Sequence, residues 1–326
     1  MSDIYSTFID LPTPLAARGG ECFSAAPVSG AVHRIAKDPK GSPALLISTA
    51  PGHNRNARIR LEHLDVQHSV RCRITTESRD TEEGIFTVVR CHDADEELAR
   101  YFLRAIDPVL RILGPTPSAS AVSRVISGLV ELFRALVQPP VKSVSGLWAE
   151  LLLIRTSGEP PALLAAWHIS PDDKYDFNAG SQRIEVKSSS QRERAHYFSL
   201  EQLTPPTGCG LVIASLFVER AGAGTSLGEL IDEIRVLVSA RPELETRLDR
   251  VVASTLGSAL RSSLSERFDR ELAVESLQFY DQEVVPTIQI PLPWGVSEVH
   301  FKADLGQATP FTRQSLKTSG GLFGAI

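Results

Sequence analysis

Cysteine is scarce and scattered. The 326-residue chain carries four, Cys22, Cys72, Cys91 and Cys209. No CxxC pair and no histidine at zinc-type spacing accompanies them, which excludes a zinc module and a disulfide framework. Nor does any apolar run approach the roughly 20 residues of a membrane-spanning helix. The opening segment MSDIYSTFIDLPTP lacks a basic region followed by an apolar one, so export is not expected and a cytoplasmic protein with reduced thiols is. HExxH, GxSxG, GKS/GKT and clustered Cys/His arrays are absent, as are internal repeats and low-complexity blocks. What remains is ordinary globular material, 42% hydrophobic and 22% charged, long enough for two domains or one large domain with an appendage.

Charge is unevenly spread. The net value is −5, yet His33 to Arg79 holds nine Lys/Arg against four Asp/Glu, leaving −10 for the remainder. PGHNRNARIR is the densest part of that stretch. It fits a solvated strand face and a phosphate-contacting surface about equally.

Short β-branched or alternating segments fill the first third: AVHRIA, PALLIST, ARIRLEHL, VRCRIT and GIFTVVRC, separated by turn residues. A helix is expected over DEELARYFLRAIDPVLRIL, where Leu98, Phe102, Ile106 and Leu110 recur at helical spacing. GPTPSAS, Gly114 to Ser120, is the most linker-like point and sets a boundary. The expected organisation is a β-rich domain over 1–114, an α/β domain with a helical extension over 115–303, and a polar tail over 304–326. Within the α/β domain the order is two helices (AVSRVISGLVELFRALVQ and SVSGLWAELLLIRTSG), a strand pair, the apolar strand GLVIASLFVER, the helix SLGELIDEIRVLVSA, an acidic helical region over 242–281, and a late strand VPTIQIPLP.

The strand pair carries the chemistry. In KYDFNAGSQRIEVKSSS, AGSQ is a turn signal, so YDFN and RIEVK pair antiparallel. Alternation sends Tyr175, Phe177, Ile184 and Val186 to one face and Asp176, Glu185 and Lys187 to the other. Two carboxylates and an ammonium then converge. Mg²⁺ takes hard oxygen ligands, one or two of them carboxylates. A metal held by Asp176 and Glu185, with the Val186 carbonyl as a further ligand, can polarise a phosphate and activate a water. Lys187 can orient that water or meet the charge developing on the phosphate. Glu150, in the preceding helix, can complete the metal shell or bind a second ion.

Asp176, Glu185-Val186-Lys187 and a Glu-bearing helix upstream resemble the active site of PD-(D/E)xK restriction-endonuclease-like nucleases. The fuller string GLWAELLLI, YDF, IEVKSSS and HYFSLEQL is similar to an uncharacterised bacterial branch associated with mobile defence loci. That resemblance covers Ser143 to about Arg220. It implies a restriction-endonuclease-like α/β core, a mixed sheet flanked by helices. It also implies a metal-dependent DNA endonuclease in defence or restriction, using Mg²⁺ with Mn²⁺ able to substitute. Glu150, Asp176, Glu185 and Lys187 take the family positions and Gln202 an accessory one; Tyr175 stands where the motif has proline. DNA is the implied partner, with other defence proteins and a second copy of the chain as further candidates. The alternative is a non-catalytic subunit using the same fold to bind DNA or a partner, and the residues alone leave RNA open.

Other features have plainer readings. KDPKG and PDDKY spell DxK without a strand aspartate upstream. His196 reads as a satisfied strand histidine, and Arg192 and Arg194 as either phosphate contacts or a solvated charge run. Gly222, Gly224 and Gly228 have the wrong spacing for a dinucleotide loop and read as a strand-to-helix turn.

Overall fold

The computed structural model describes residues 4–15, 20–28, 32–48, 57–76, 80–92, 95–168, 170, 173–288 and 291–326. The chain divides into two compact units, Met1–Val137 and Gln138–Ile326. The division falls after the helix that follows GPTPSAS, not at Gly114, because that helix packs on the one before it.

The first unit comprises α1 (Ile4–Asp10), β1 (Glu21–Pro27), β2 (Arg34–Lys37), β3 (Pro43–Ser48), β4 (Ile59–Arg60), β5 (Leu64–Thr75), β6 (Thr81–Cys91), α2 (Glu96–Leu113) and α3 (Ala119–Ala135). Its sheet runs β1-β2-β3-β6-β5-β4, and a parallel β1–β5 pairing closes it into a barrel. Closure depends on β5 bending. Ser69 takes a positive φ of 54° where the β5–β6 register shifts between Gln67 and Val70. The half of β5 before the bend pairs with β4 and the half after it with β1. Phe23, Leu46, Cys72, Ile74, Phe86 and Val88 fill one core cluster. Burial pushes the Cys72 and Cys91 thiols up to about 12, which fits inert reduced cysteines. α2 starts where Asp95 accepts the Leu98 N–H and stops at Gly114, φ 64°.

The second unit comprises α4 (Val144–Thr156), α5 (Pro160–Ala166), β7 (Phe177–Ala179), β8 (Gln182–Ser189), β9 (Ala195–Ser199), β10 (Gly210–Phe217), β11 (Arg220–Ser226), α6 (Leu227–Leu237), α7 (Pro242–Leu256), α8 (Leu260–Ser263), β12 (Arg267–Phe268), α9 (Arg270–Ser276), β13 (Gln278–Asp281), β14 (His300–Asp304), α10 (Arg313–Thr318) and α11 (Gly321–Ala325). A mixed sheet runs β13-β10-β8-β7, with β8 and β10 parallel and both outer strands antiparallel. One face packs on α4. The other face buries Tyr175, Leu211, Ile213 and Tyr280 against Phe198 and Ala303 of the β9–β14 ribbon. The fold is thus mixed α/β with sheets flanked by helices, as expected.

Three expectations are corrected. The late strand over VPTIQIPLP is not formed at 285–288, and residues 289 and 290 lie outside the described residues. The segment read as a polar tail folds into α10 and α11, burying Leu316, Leu322 and Ala325. It is anchored by Gln182, which donates to Gly320 O and accepts from Phe323 N. The glycines of AGAGTS lie in β11, where a Cβ on Gly224 would fall 2.1 Å from Phe268 O; that strand runs straight into the Ser226 cap of α6. No helix among the described residues is long and apolar enough to cross a membrane.

Candidate active site

The β7–β8 hairpin forms as its turn predicts. Gly180, φ 53°, opens a two-residue loop between the paired Ala179 and Gln182. Phe177 pairs with Ile184, and Asp176, just before β7, meets β8 through its side chain, Oδ2 accepting the Val186 N–H. Neither carboxylate faces water. β8 is flanked by β7 and β10 and covered on both faces, leaving Asp176 6% and Glu185 4% exposed.

Glu150 is brought in by α4. Ser143 caps that helix by accepting the Gly146 N–H, and every residue from Leu147 to Ile154 is buried. There is no solvated stripe on which a glutamate could sit, and Glu150 is 3% exposed. A charge in such a helix must be matched by neighbours. Its Oε2 accepts the Trp167 indole N–H at 2.6 Å and lies 3.0 Å from His168 Nε2. Its Oε1 accepts from Lys142 Nζ at 3.0 Å. The same ammonium donates to Asp176 Oδ1 at 2.8 Å and stands 3.5 Å from His168 Nε2. Asp176 Oδ2 accepts the Val186 backbone N–H at 2.8 Å. Ligand atoms of Glu150, His168 and Asp176 all lie within 4.8 Å of one another.

Glu185 belongs to an adjoining group. Its Oε1 accepts from Lys187 Nζ and from Gln202 Nε2, both at 2.8 Å. Gln202 Oε1 accepts the Ser199 N–H at 3.1 Å and lies 3.5 Å from Lys187 Nζ. Lys187 also rests 5.1 Å from the Phe198 ring centroid, a cation–π contact. Glu185 Oε2 is buried and has no hydrogen-bond partner among the described residues.

The expected residues are therefore all brought into one region, but in two groups. Asp176 meets Glu150, while Glu185 meets Lys187 and Gln202. Val186 enters through its N–H. Lys142, Trp167 and His168 went unnoticed in the sequence. Lys142 looks like a surface residue beside a helix cap, and the other two belong to no motif.

Electrostatics links the groups. Burial, then the charges of Glu150 and Glu185, push the Asp176 carboxyl well above its ordinary range, and Lys142 offsets this only in part. Burial acts against Glu150 as well, but the His168 contact, the Lys142 charge and the Trp167 N–H outweigh it and hold its pKa down. Burial and the Glu185 charge raise the Tyr175 phenol to about 12. Three carboxylates, those of Glu150, Asp176 and Glu185, share the region with two ammonium groups, Lys142 and Lys187.

A divalent cation fits that imbalance. The donors are carboxylates and one imidazole, an oxygen is left over on Glu185, and burial with two neighbouring carboxylates works against the Asp176 charge.

Other candidates resolve into structure. His196 is buried with Nε2 2.8 Å from Ser215 Oγ, and burial lowers its pKa to about 4. Arg194 donates to Ser215 and Ser276, and Arg192 pairs with Glu219. In the basic stretch, Arg34, Arg58 and Arg73 pair with Glu82, Asp65 and Glu83. Arg55 and Arg79 lie outside the described residues.

No match was found among curated proteins or among solved structures. A family model described as "Putative PD-(D/E)XK family member" does match, over residues 7–306, taking in most of the barrel unit as well as the site. The chain belongs to that family, DUF4420.

Proposed function

We propose that the protein hydrolyses DNA phosphodiester bonds as a Mg²⁺-dependent endonuclease, with Mn²⁺ able to substitute. The observation that carries this reading is the uncompensated negative charge around β8, namely the unpartnered Glu185 oxygen beside an Asp176 pushed toward its neutral form. Membership of a PD-(D/E)XK family supports phosphoryl chemistry and DNA as substrate. The setting, restriction or defence, rests on the resemblance alone.

In this reading Asp176, Glu150 and Glu185, with the Val186 carbonyl, hold the ion, and His168 stands close enough to join them. When bound, the ion polarises the scissile phosphate and acidifies a water. The protein's own residues do the rest. The Val186 N–H fixes the Asp176 carboxylate, and the Trp167 N–H fixes that of Glu150. Gln202 clamps Glu185 and leaves Lys187 aimed along the same edge. Lys187 orients the attacking water or meets charge developing on the phosphate oxygens. Cutting both strands would call for two copies related by a twofold axis.

The test is incubation of purified protein with linear and circular DNA in Mg²⁺, Mn²⁺ or EDTA. Nicked or linearised circles in the metal arms, none in EDTA and none with Asp176→Ala are expected. Binding of DNA without cleavage under every condition would replace the enzyme with the non-catalytic subunit. Cleavage of RNA alone would reassign the substrate.

A further inference from the structure

The ammonium of Lys142 is in the wrong place for an ordinary surface lysine. It donates to Asp176 Oδ1 at 2.8 Å and to Glu150 Oε1 at 3.0 Å, and stands 3.5 Å from His168 Nε2. These are the same three residues whose ligand atoms cluster within 4.8 Å of one another. The nitrogen therefore sits where a cation shared by that cluster would sit.

We propose that Lys142 is a resident cation of the site, occupying the position of the divalent ion and competing with it, so that it sets the ion concentration at which the site fills. The inference rests on the metal-dependent reading above. The two cations exclude each other on distance as well as charge. A divalent ion draws carboxylate oxygens to about 2.0–2.1 Å, and oxygens so engaged cannot also hold an ammonium at 2.8 and 3.0 Å. Like charges that close repel strongly in a buried pocket.

The exit is built in. The Lys142 side chain is 26% exposed, against 4% and 9% for those of Glu150 and Asp176. The backbone on either side is pinned, with Val141 N donating to Thr255 O and Ser143 capping α4. Only the flexible stem has to swing, and lysine has four methylenes with which to do so. The motif's own lysine is accounted for separately, since Lys187 is held by Glu185 and Gln202. A plain structural ion pair is a poorer description. Such pairs stabilise when every charge is matched, and here one ammonium serves two carboxylates with Glu185 close by.

The experiment is calorimetric titration of Mn²⁺ into the full-length wild type and Lys142→Met, with melting followed in EDTA and in Mn²⁺. The variant should bind Mn²⁺ at least tenfold more tightly, melt earlier than wild type in EDTA, and recover in Mn²⁺. A lysine that merely supported the fold would leave affinity unchanged or weaken it. On the wild type, an amine-acylating reagent read by mass spectrometry should leave Lys142 unlabelled in EDTA. Labelling should rise at saturating Mn²⁺, with exposed Lys40 as the internal reference. If the variant fails to fold in either condition, this labelling result decides. Unchanged Lys142 labelling, or a folded variant that binds no tighter than a wild type that does bind, overturns the proposal and leaves the metal reading intact. If neither protein takes up Mn²⁺, both readings fall.

Discussion

Each unit buries a knot of carboxylates around one cation, and the two knots are finished differently. In the barrel unit, Arg90 lies 2.5 Å from Glu21 Oε2, 3.3 Å from Asp38 Oδ2 and 4.0 Å from Asp65 Oδ2. The two aspartates have further partners. Asp38 Oδ1 accepts the Lys40 and Ser42 N–H groups, and Asp65 takes a two-pronged contact from Arg58 and one from Gln67. Burial opposes the Asp65 charge, yet those hydrogen bonds and the Arg58 and Arg90 charges hold its pKa below the ordinary value. In the second unit the hub is a single ammonium, Asp176 is pushed the opposite way, and Glu185 Oε2 has nothing to accept among the described residues. Burial of charge is common to both. The barrel knot's unpartnered buried atom is a donor, Arg90 Nε, whereas that of the second knot is a carboxylate oxygen, and a leftover acceptor is what points to a missing cation.

The contrast can be broken from either side. The largest effect should come from the open knot. Asp176→Ala should lower single-turnover DNA cleavage by more than the roughly 10²–10³ lost with one electrostatic stabiliser, and calorimetry should show weakened Mn²⁺ binding that excess ion restores poorly. Lys187→Ala should keep DNA and metal bound while cleavage falls by about 10²–10³; wild-type rates would remove its role. In the closed knot, Arg90→Met should leave three carboxylates facing one another and cost about 3–5 kcal/mol in urea unfolding. Mn²⁺ should not restore that loss, and restoration would mean the barrel knot also accepts an ion.

A smaller effect comes from His196. Burial lowers its folded pKa to about 4 from 6.5, so the folded state prefers neutral imidazole. Stability is then full above pH 6.5 and is lost as pH falls from there toward 4, by up to about 3 kcal/mol. His196→Gln should flatten that limb in unfolding titrations between pH 7 and 4. The smallest effect is expected for Arg58→Ala with Arg60→Ala. Since Arg58 is committed to Asp65, the slope of DNA affinity against salt should change by about 1 or less; a larger change would make the barrel a phosphate-binding surface.

What was legible follows from periodicity. The hairpin could be read because Gly180 marks its turn and alternation keeps Phe177 and Ile184 buried; Tyr175, ahead of β7, packs instead with Ile213 on the Glu185 face. The same alternation called the Glu185 face outward, which it is not, because a single strand does not reveal that β9 and β14 cover it. Glu150 was found by its helix, yet burial on every side of α4 could not be read from a mean pattern. Lys142 and His168 reach the site through tertiary contacts spanning 34 and 18 positions in sequence, with no spacing rule to announce them. Barrel closure was hidden too, because the bend in β5 falls at Ser69, a residue that rarely takes a positive φ.

The clamp on Glu185 has a consequence for how the protein is made. Gln202 sits in the turn after β9. That strand pairs with β14, and Leu200 N donates to Val299 O. A ribosome therefore completes β7, β8 and the Lys142 knot about a hundred residues before the strand that steadies Gln202 emerges. Until His300–Asp304 docks, the strand that leads into Gln202 lacks its pairing partner. If the chain cuts DNA as proposed, a chain still short of β14 carries the metal-facing carboxylates without the paired ribbon behind Gln202.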